Sequence, residues 1–135
     1  MTDLERARKV FGTVGFAMEL TGCVIEEVGP GFARCSLKIE DKHRNGLGHV
    51  MGGAIYTLVD MAYAVASNFD RDVFVTSSSS IYFLKSADSG TLTACAREIR
   101  SGRQTCLFEV EVRDDAGDEI AHAAVGGTRI EPRGV

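Results

Sequence analysis

Residues 52–68 read GGAIYTLVDMAYAVASN, and this stretch decides the fold. Apolar residues recur in it at spacings of three and four, which is the period of an amphipathic helix. The predicted core face of that helix is made of Ile55, Leu58, Val59, Ala62, Val65 and Ala66. A helix of this length spans about 25 Å, so we expect it to be the central element of the fold.

The other face of this helix carries almost no charge. It is made of Gly53, Tyr56, Thr57, Asp60, Tyr63, Ala64 and Ser67. From residue 45 to residue 69, Asp60 is the only Asp, Glu, Lys or Arg. A solvated face would carry lysine and glutamate, so we expect a second copy of the chain to cover this one. Loss of water in such a crevice would raise the pKa of Asp60 above about 3.9 and strengthen it as a base. The alternative is an ordinary surface aspartate.

Alternating runs on both sides of the helix predict a sheet. We expect a short helix at 3–11 and strands at 20–28, 31–40, 73–84, 91–100, 104–113 and 119–130. Turn signals between consecutive runs favour antiparallel pairing. The predicted architecture is α+β, with a curved antiparallel β-sheet of about six strands wrapped round one long central helix. The length indicates a single domain over residues 1–135.

Composition excludes several classes of function. Acidic residues number 19 against 15 basic ones, for a net charge of −4, which argues against nucleic-acid binding. No apolar run approaches the roughly 20 residues of a membrane span, and the charged start does not resemble a signal peptide. The four cysteines form no metal-ligand spacing. We therefore expect no metal site, and a protein of the cytoplasm with reduced cysteines.

Two glycines, Gly52 and Gly53, begin the central helix. The first amides of a helix have no intrahelical acceptor and lie at its positive end. Without side chains, these two would let a ligand carbonyl approach closely, as an oxyanion hole requires. The alternative is a flexible helix start. Gly53 and Asp60 are seven residues apart and share a face, about 10 Å from each other along the axis.

The segment NGLGHVMGGAIYTLVD, residues 45–60, resembles the hotdog-fold thioesterases of the PaaI-like group, a superfamily that includes the 4-hydroxybenzoyl-CoA thioesterases. The shared pattern is an Asn, a short spacer, His-Gly-Gly, and an acidic residue eight positions after the first Gly. Residues 81–85 and 102–105 resemble the strand end and the hairpin that follow in that family. The resemblance implies hydrolysis of acyl-CoA thioesters to free acid and CoA. It implies no cofactor besides the CoA of the substrate, and a homodimer or a dimer of dimers.

The resemblance also implies roles for individual residues. Asp60 would act as nucleophile or as general base for water, two routes that the sequence does not separate. The Gly52 amide would polarise the thioester carbonyl. Asn45 would place the water or the carboxylate. Thr76 would supply a hydroxyl across the dimer, where relatives more often carry Ser.

Six further residues are predicted to bind substrate: Met51, Gly53, Tyr56, His49, Lys85 and Arg103. Tyr56 would line the acyl groove together with Tyr63, while Lys85 and Arg103 would form a basic rim for the phosphates of CoA. Met51 departs from the family, which has His there, and a thioether cannot donate a hydrogen bond to a carbonyl. His49, two residues upstream, is the candidate that replaces it in part.

Three alternative functions follow from the same residues. Met51 favours a non-catalytic acyl-CoA binding or sensing protein. A hotdog hydratase or dehydratase would need a histidine paired with a carboxylate in the crevice. A purely structural oligomer would leave Asp60 without a role. The identity of the acyl group stays open.

Overall fold

The structure is a computed structural model that describes residues 1–71 and 73–131, so five residues of the predicted domain 1–135 lie outside it. The described chain contains two α-helices and six strands. Their bounds are α1 (Asp3–Phe11), β1 (Val24–Gly29), β2 (Phe32–Lys38), α2 (Gly52–Asn68), β3 (Phe74–Phe83), β4 (Thr91–Ser101), β5 (Thr105–Arg113) and β6 (Glu119–Arg129). A π-helical segment (Gly15–Thr21) and a short 3₁₀ turn (Asp41–His43) complete the regular structure.

The six strands form one antiparallel sheet in the order β1-β2-β4-β5-β6-β3. Helix α2 contacts every one of them. A flat sheet of six strands is about 24 Å wide, whereas a helix with its side chains is about 10 Å across. Contact with all six strands therefore requires the sheet to curve around α2. The predicted fold class is confirmed.

Helix α2 buries its predicted core face completely, since all six of the apolar residues assigned to it are buried. The assignment of Tyr63 and Ser67 to the other face was wrong, because both are buried as well. The Tyr63 ring meets the Phe108 ring edge-on, with centroids 5.6 Å apart. The curved sheet covers more of the helix circumference than one flat layer would. Only a narrow strip of α2, which includes Gly53 and Asp60, is exposed.

The start of the chain agrees with the prediction for α1 and differs after it. Thr2 caps α1, with its side chain accepting from the Glu5 amide. The predicted strand 20–28 begins only at Val24, because Gly15–Thr21 is π-helical. Gly22, at φ 92°, ends that segment in the left-handed conformation, which glycine adopts without strain. The strands expected at 31–40, 73–84, 91–100, 104–113 and 119–130 all exist, with ends shifted by a few residues.

The outer face of the sheet carries a charged cluster around His122 on β6. Its Nδ1 lies 2.5 Å from Glu119 and its Nε2 lies 2.6 Å from Glu109. Hydrogen bonds to these two carboxylates raise the pKa of His122, Glu109 making the larger contribution. Among the described helices, none is long and apolar enough to cross a membrane.

Candidate active site

The amino end of α2 presents two amides that are not used by the protein. Met51 occupies the N-cap position, and its carbonyl accepts from the amides of Ala54 and Ile55 at 3.1 and 3.2 Å. Within the described chain, the amides of Gly52 and Gly53 have no acceptor. Two free N–H groups thus lie at the positive end of the helix, where a developing negative charge is stabilised.

The Phe83 ring covers one side of this helix end. A Cβ placed on Gly52 would come within 3.1 Å of Phe83 Cζ, so the ring packs directly on the glycine. On Gly53 the nearest atom to such a Cβ is Met51 Cε, at 3.7 Å, which is ordinary contact. Phe83 is still 52% exposed. No role was predicted for Phe83, because only its packing on a distant glycine distinguishes it from other residues at strand ends.

A cavity of about 400 Å³ opens beside Gly52. Four predicted site residues line it, namely Asn45, His49, Gly52 and Lys85. Its remaining walls come from the end of β3 and the loop after it, and from α2 and the residue before Met51. The cavity therefore joins the free helix end to the rim that was predicted to hold phosphates. Asp60, Thr76 and Arg103 do not line it.

Asn45 organises the loop that leads to α2. Its side-chain oxygen accepts from the amides of Leu47 and His49, at 2.9 and 3.1 Å. Its backbone amide donates to the His49 carbonyl at 2.7 Å. The carboxamide NH₂ has no acceptor in the part of the chain that is described. That group can still reach a ligand, although the oxygen is committed to the loop.

His49 and Lys85 are both engaged by carboxylates at the cavity rim. His49 Nδ1 is hydrogen-bonded to Asp88. The Lys85 ammonium pairs with Asp118 and lies 3.8 Å from Asp114. The hydrogen bond to Asp118 raises the pKa of Lys85. Any anion bound here would therefore compete with two acidic side chains for the lysine.

His43, which the sequence did not single out, anchors the same loop. It is buried; its Nδ1 accepts from the Glu40 amide at 2.9 Å, and its Nε2 lies 2.7 Å from the Thr21 carbonyl. A ring nitrogen that accepts from an amide carries no proton, so Nε2 is the donor and the ring is neutral. The His43 carbonyl accepts from the Met51 amide at 2.7 Å. His43 thus ties the π-helical segment to Met51, the N-cap residue of α2.

Asp60 lies midway along α2 and is exposed in the single chain. It has no hydrogen bond or ion pair with any described residue. Surrounding protein atoms nevertheless displace enough water to raise the pKa of its carboxyl. Gly53 is exposed on the same strip, and Tyr56 and Thr57 are half-buried beside it. The strip is therefore open to contact from outside the chain.

One chain does not bring all the predicted site residues together. Eight residues of helix separate Gly52 from Asp60, which amounts to about 12 Å along the axis. Thr76 lies on the edge strand β3 and Arg103 in the turn between β4 and β5, and both are exposed. The single chain therefore keeps the predicted site residues apart, with one group at the start of α2 and Asp60 at its middle.

Comparison with known families decides the class of this protein. Residues 47–121 match the sequence profile of the family described as "Thioesterase superfamily". The chain belongs to the thioesterase superfamily. This match covers the central helix, strands β3 to β5 and the start of β6, and it confirms the expected enzyme class of thioester hydrolase.

Individual relatives agree with this assignment. The acyl-coenzyme A thioesterase PaaI of Escherichia coli is 33% identical over 101 residues, which are 74% of this thioesterase and 72% of PaaI. The structure of E. coli PaaI matches with a TM-score of 0.88 and 26% identity, over 95% of this chain and 94% of that one. Protein smu.793 of Streptococcus mutans, solved bound to acetyl CoA, matches with a TM-score of 0.77 and 29% identity, over 82% and 90%. The hotdog fold is thereby confirmed.

Proposed function

We propose that this thioesterase hydrolyses acyl-CoA thioesters, with Gly52 as oxyanion donor and Asp60 as the reacting carboxylate. The observation that carries the proposal is the pair of unused amides at the start of α2, of which Gly52 lines a cavity of about 400 Å³. The same helix carries a lone carboxylate of raised pKa. The E. coli relative is an acyl-coenzyme A thioesterase and the S. mutans neighbour binds acetyl CoA, which supports this class of substrate.

The proposed reaction begins with the thioester carbonyl oxygen accepting a hydrogen bond from the Gly52 amide. In one route Asp60 takes a proton from water, the water oxygen attacks the carbonyl carbon, and the C–S bond breaks as the thiolate of CoA leaves. In the other route the Asp60 oxygen attacks the carbonyl carbon, the C–S bond breaks as the thiolate of CoA leaves, and the mixed anhydride that results is opened by water to give the free acid and the Asp60 carboxylate. The proton released ends on the thiolate or in solvent. Thr76 and the Asn45 NH₂ are assigned to holding the water.

Gly52 and Asp60 of one chain are about 12 Å apart along the helix, whereas reacting atoms must come within about 3.5 Å of each other. The two residues of one chain therefore do not act on the same thioester carbonyl. Strand β3 indicates how a second chain could bring the two groups together. Its ten residues pair only with β6, and all but two of them are exposed. A long unpaired edge is a template for another strand. We propose a two-fold dimer through β3, in which Gly52 of one chain and Asp60 of the partner subunit flank one thioester.

A dimer of such dimers is the assembly we propose in addition. Phe16 and Leu20, on the π-helical segment, are 66% and 64% exposed and would be covered in this assembly.

The acyl groove is assigned to Tyr56, Met51 and Gly53. Gly53 has no side chain and therefore leaves room for the acyl group of the substrate. Met51 is 48% exposed and is suited to an apolar contact with the acyl group rather than to a proton transfer.

We also propose a cytoplasmic location, which would keep the four unpaired cysteines reduced.

The test is release of free CoA thiol from a panel of acyl-CoA substrates. Wild-type protein is compared with Asp60→Ala and with Glu19→Gln as the control, since Glu19 is exposed and its side chain makes no hydrogen bond or ion pair with a described residue. We expect Asp60→Ala to lose at least about 100-fold in kcat and the control to lose nothing. Equal activity of all three proteins would remove Asp60 from the reaction. Label from ¹⁸O water found in Asp60 after a single turnover would identify the anhydride route.

A second candidate function is hydration or dehydration of an acyl thioester. It is favoured by the hydrogen-bonded pair of His49 and Asp88, because His49 lines the cavity beside Gly52. Loss of water addition to enoyl-CoA in His49→Ala, with no thiol release by wild type, would establish it. A non-catalytic binding protein is the outcome if acyl-CoA binds with measurable affinity and neither reaction occurs.

A further inference from the structure

A buried histidine that the proposed reaction does not use lies behind the amino end of α2. His43 is 4% exposed, and it ends the 3₁₀ turn that precedes the loop to α2. Its ring makes two hydrogen bonds, and its backbone carbonyl makes a third with the amide of Met51. Met51 comes directly before Gly52 in the chain. His43 therefore holds the residue whose peptide unit carries the proposed oxyanion donor.

Both ring nitrogens of His43 have a backbone partner. Nδ1 accepts from the Glu40 amide at 2.9 Å, within the turn, and Nε2 donates to the Thr21 carbonyl at 2.7 Å, across the fold. Thr21 is the last residue of the π-helical segment, and the carbonyls at a helix end have no intrahelical partner. Because the ring is buried, bulk water does not replace either bond. The two bonds together fix the position of residue 43.

Met51 passes this fixed position on to the Gly52 amide. Its own amide donates to the His43 carbonyl at 2.7 Å. Its carbonyl accepts from the amides of Ala54 and Ile55, in the first turn of α2. The Met51 carbonyl and the Gly52 N–H belong to one planar peptide unit, so the direction of that N–H depends on the backbone angles of Met51. Those angles, φ −59° and ψ 140°, are held between His43 on one side and α2 on the other.

The direction of an oxyanion donor decides how much it contributes to catalysis. Loss of one such donor lowers kcat about 100- to 1000-fold, and a displacement of about 1 Å at a reacting group costs about 100-fold. Among the residues that the structure describes, the Gly52 amide has no acceptor. No hydrogen bond of its own therefore holds its direction before substrate binds, and the bonds of the neighbouring residues have to do so.

We infer that His43 is a positioning residue for the proposed reaction, which fixes the direction of the Gly52 amide through the hydrogen bond between its own carbonyl and the Met51 amide. The inference rests on the proposed function, in which the Gly52 amide binds the thioester oxygen. His43 does not line the cavity beside Gly52, so it contacts neither the acyl group nor the CoA of the substrate. It therefore affects the chemical step and leaves substrate binding unchanged.

The first measurement is kcat and KM for release of thiol from an acyl-CoA. His43→Ala loses both ring bonds. His43→Asn has an oxygen that can accept in place of Nδ1, and His43→Gln has an NH₂ that can donate in place of Nε2. Lys42→Ala is the matched control, because Lys42 is exposed in the same turn and its ion pair with Glu40 lies on the surface.

We expect His43→Ala to lower kcat about 30-fold, less than loss of the donor itself, and to keep KM within about twofold of wild type. His43→Asn and His43→Gln each keep one bond, so their kcat should lie between those of wild type and His43→Ala. Lys42→Ala should equal wild type. A kcat of His43→Ala within about threefold of wild type, or an effect on KM alone, would overturn the positioning role. If His43→Ala does not fold, wild-type kcat in both other variants is the overturning result.

The second measurement is hydrogen exchange at single amides, which needs no catalysis. In wild type the Met51 amide is protected by its bond to His43, and the Val50 amide by a 3.0 Å bond to the Ala87 carbonyl. In His43→Ala we expect the Met51 amide to exchange about tenfold faster, because its acceptor is no longer held in place, and the Val50 amide to be unchanged. Equal acceleration at both amides would show that the whole loop opens, and the role of His43 would then be structural only.

The positioning role and the proposed function fail separately. If wild type releases no thiol from any acyl-CoA, the proposed function fails, while exchange at Met51 still reports whether His43 holds the start of α2. If wild type is active and its kcat does not depend on His43, the proposed function stands and the positioning role does not.

Discussion

Replacing Gly127 by alanine should destabilise this protein more than any other single added methyl in β6. A Cβ on Gly127 would lie 2.0 Å from Tyr63 Oη, 2.8 Å from Cys106 Sγ and 3.2 Å from the Val75 carbonyl. Tyr63 is buried, and its hydroxyl is held 3.6 Å from Cys106 Sγ, so it cannot swing aside into solvent. Overpacking of this kind costs about 3 kcal/mol. For a domain of this size that corresponds to a fall in Tm of roughly 12 °C.

The assay is thermal unfolding followed by circular dichroism, with two companion variants. Gly126→Ala is the control, since its Cβ would meet only Ser78 Oγ closely, at 2.9 Å, and a short side chain can rotate away. We expect it to cost less than about 1 kcal/mol. Tyr63→Phe alone should cost about 1 kcal/mol through its lost hydrogen bond.

The double variant Tyr63→Phe, Gly127→Ala tests whether the clash with the Tyr63 hydroxyl causes the loss of stability. It removes the atom that would clash at 2.0 Å and leaves the Cys106 sulfur at 2.8 Å and the Val75 carbonyl at 3.2 Å. We expect it to be more stable than Gly127→Ala alone, with a favourable coupling of about 1–2 kcal/mol. A Gly127→Ala protein that melts within about 2 °C of wild type would refute the argument, and so would strictly additive costs in the double variant.

Three further predictions concern pH and substrate range. Because desolvation raises the pKa of Asp60, kcat/KM should fall on acidification at a pH above the ordinary value of about 3.9, and the residual activity of Asp60→Asn should lack this limb. Because its two glutamates raise the pKa of His122, that group's stabilising contribution should be complete below about pH 6.5 and lost as pH rises through the folded-state pKa. Urea unfolding across this range should show the loss in wild type and not in His122→Gln. Phe83→Ala should increase kcat/KM for bulky acyl-CoA substrates relative to acetyl-CoA about tenfold, while Tyr82→Ala, next along the strand and outside the cavity, should not.

The fold was predictable because its main elements carry strong periodicities. Helix α2 was placed from Gly52 to Asn68 by three- and four-residue spacing and by glycines at its start, and β2 by the strict alternation of buried Ala33, Cys35 and Leu37. The π-helical segment before β1 was missed. Its conformation depends on Gly22 and on a hydrogen bond from His43, which is distant in sequence.

The site was predictable only in part, because some of its contacts join residues that are distant in sequence. The sequence placed Gly52 and Asp60 on one helix, and their motif identified the family, which the comparisons confirm. It misplaced Tyr63, because a helical wheel divides a helix into two faces, whereas a curved sheet covers most of its circumference. It could not find Phe83, whose relevance comes from packing against Gly52 across the fold. The roles of Thr76, Asn45 and Arg103 stay predictions.

The space that Gly127 leaves by having no side chain affects how freely α2 can rotate about its long axis. A helix of mostly aliphatic residues lying in a smooth trough can roll about its long axis at little cost. The Tyr63 hydroxyl occupies the space beside Gly127 in β6, and this contact resists rotation of the helix about its axis. A roll of about 20° would carry a side-chain tip on α2, Asp60 included, some 2 Å sideways, given the radius of a helix. The direction in which the carboxylate points is thus set about one turn further along the helix, through contact with a residue that has no side chain at all.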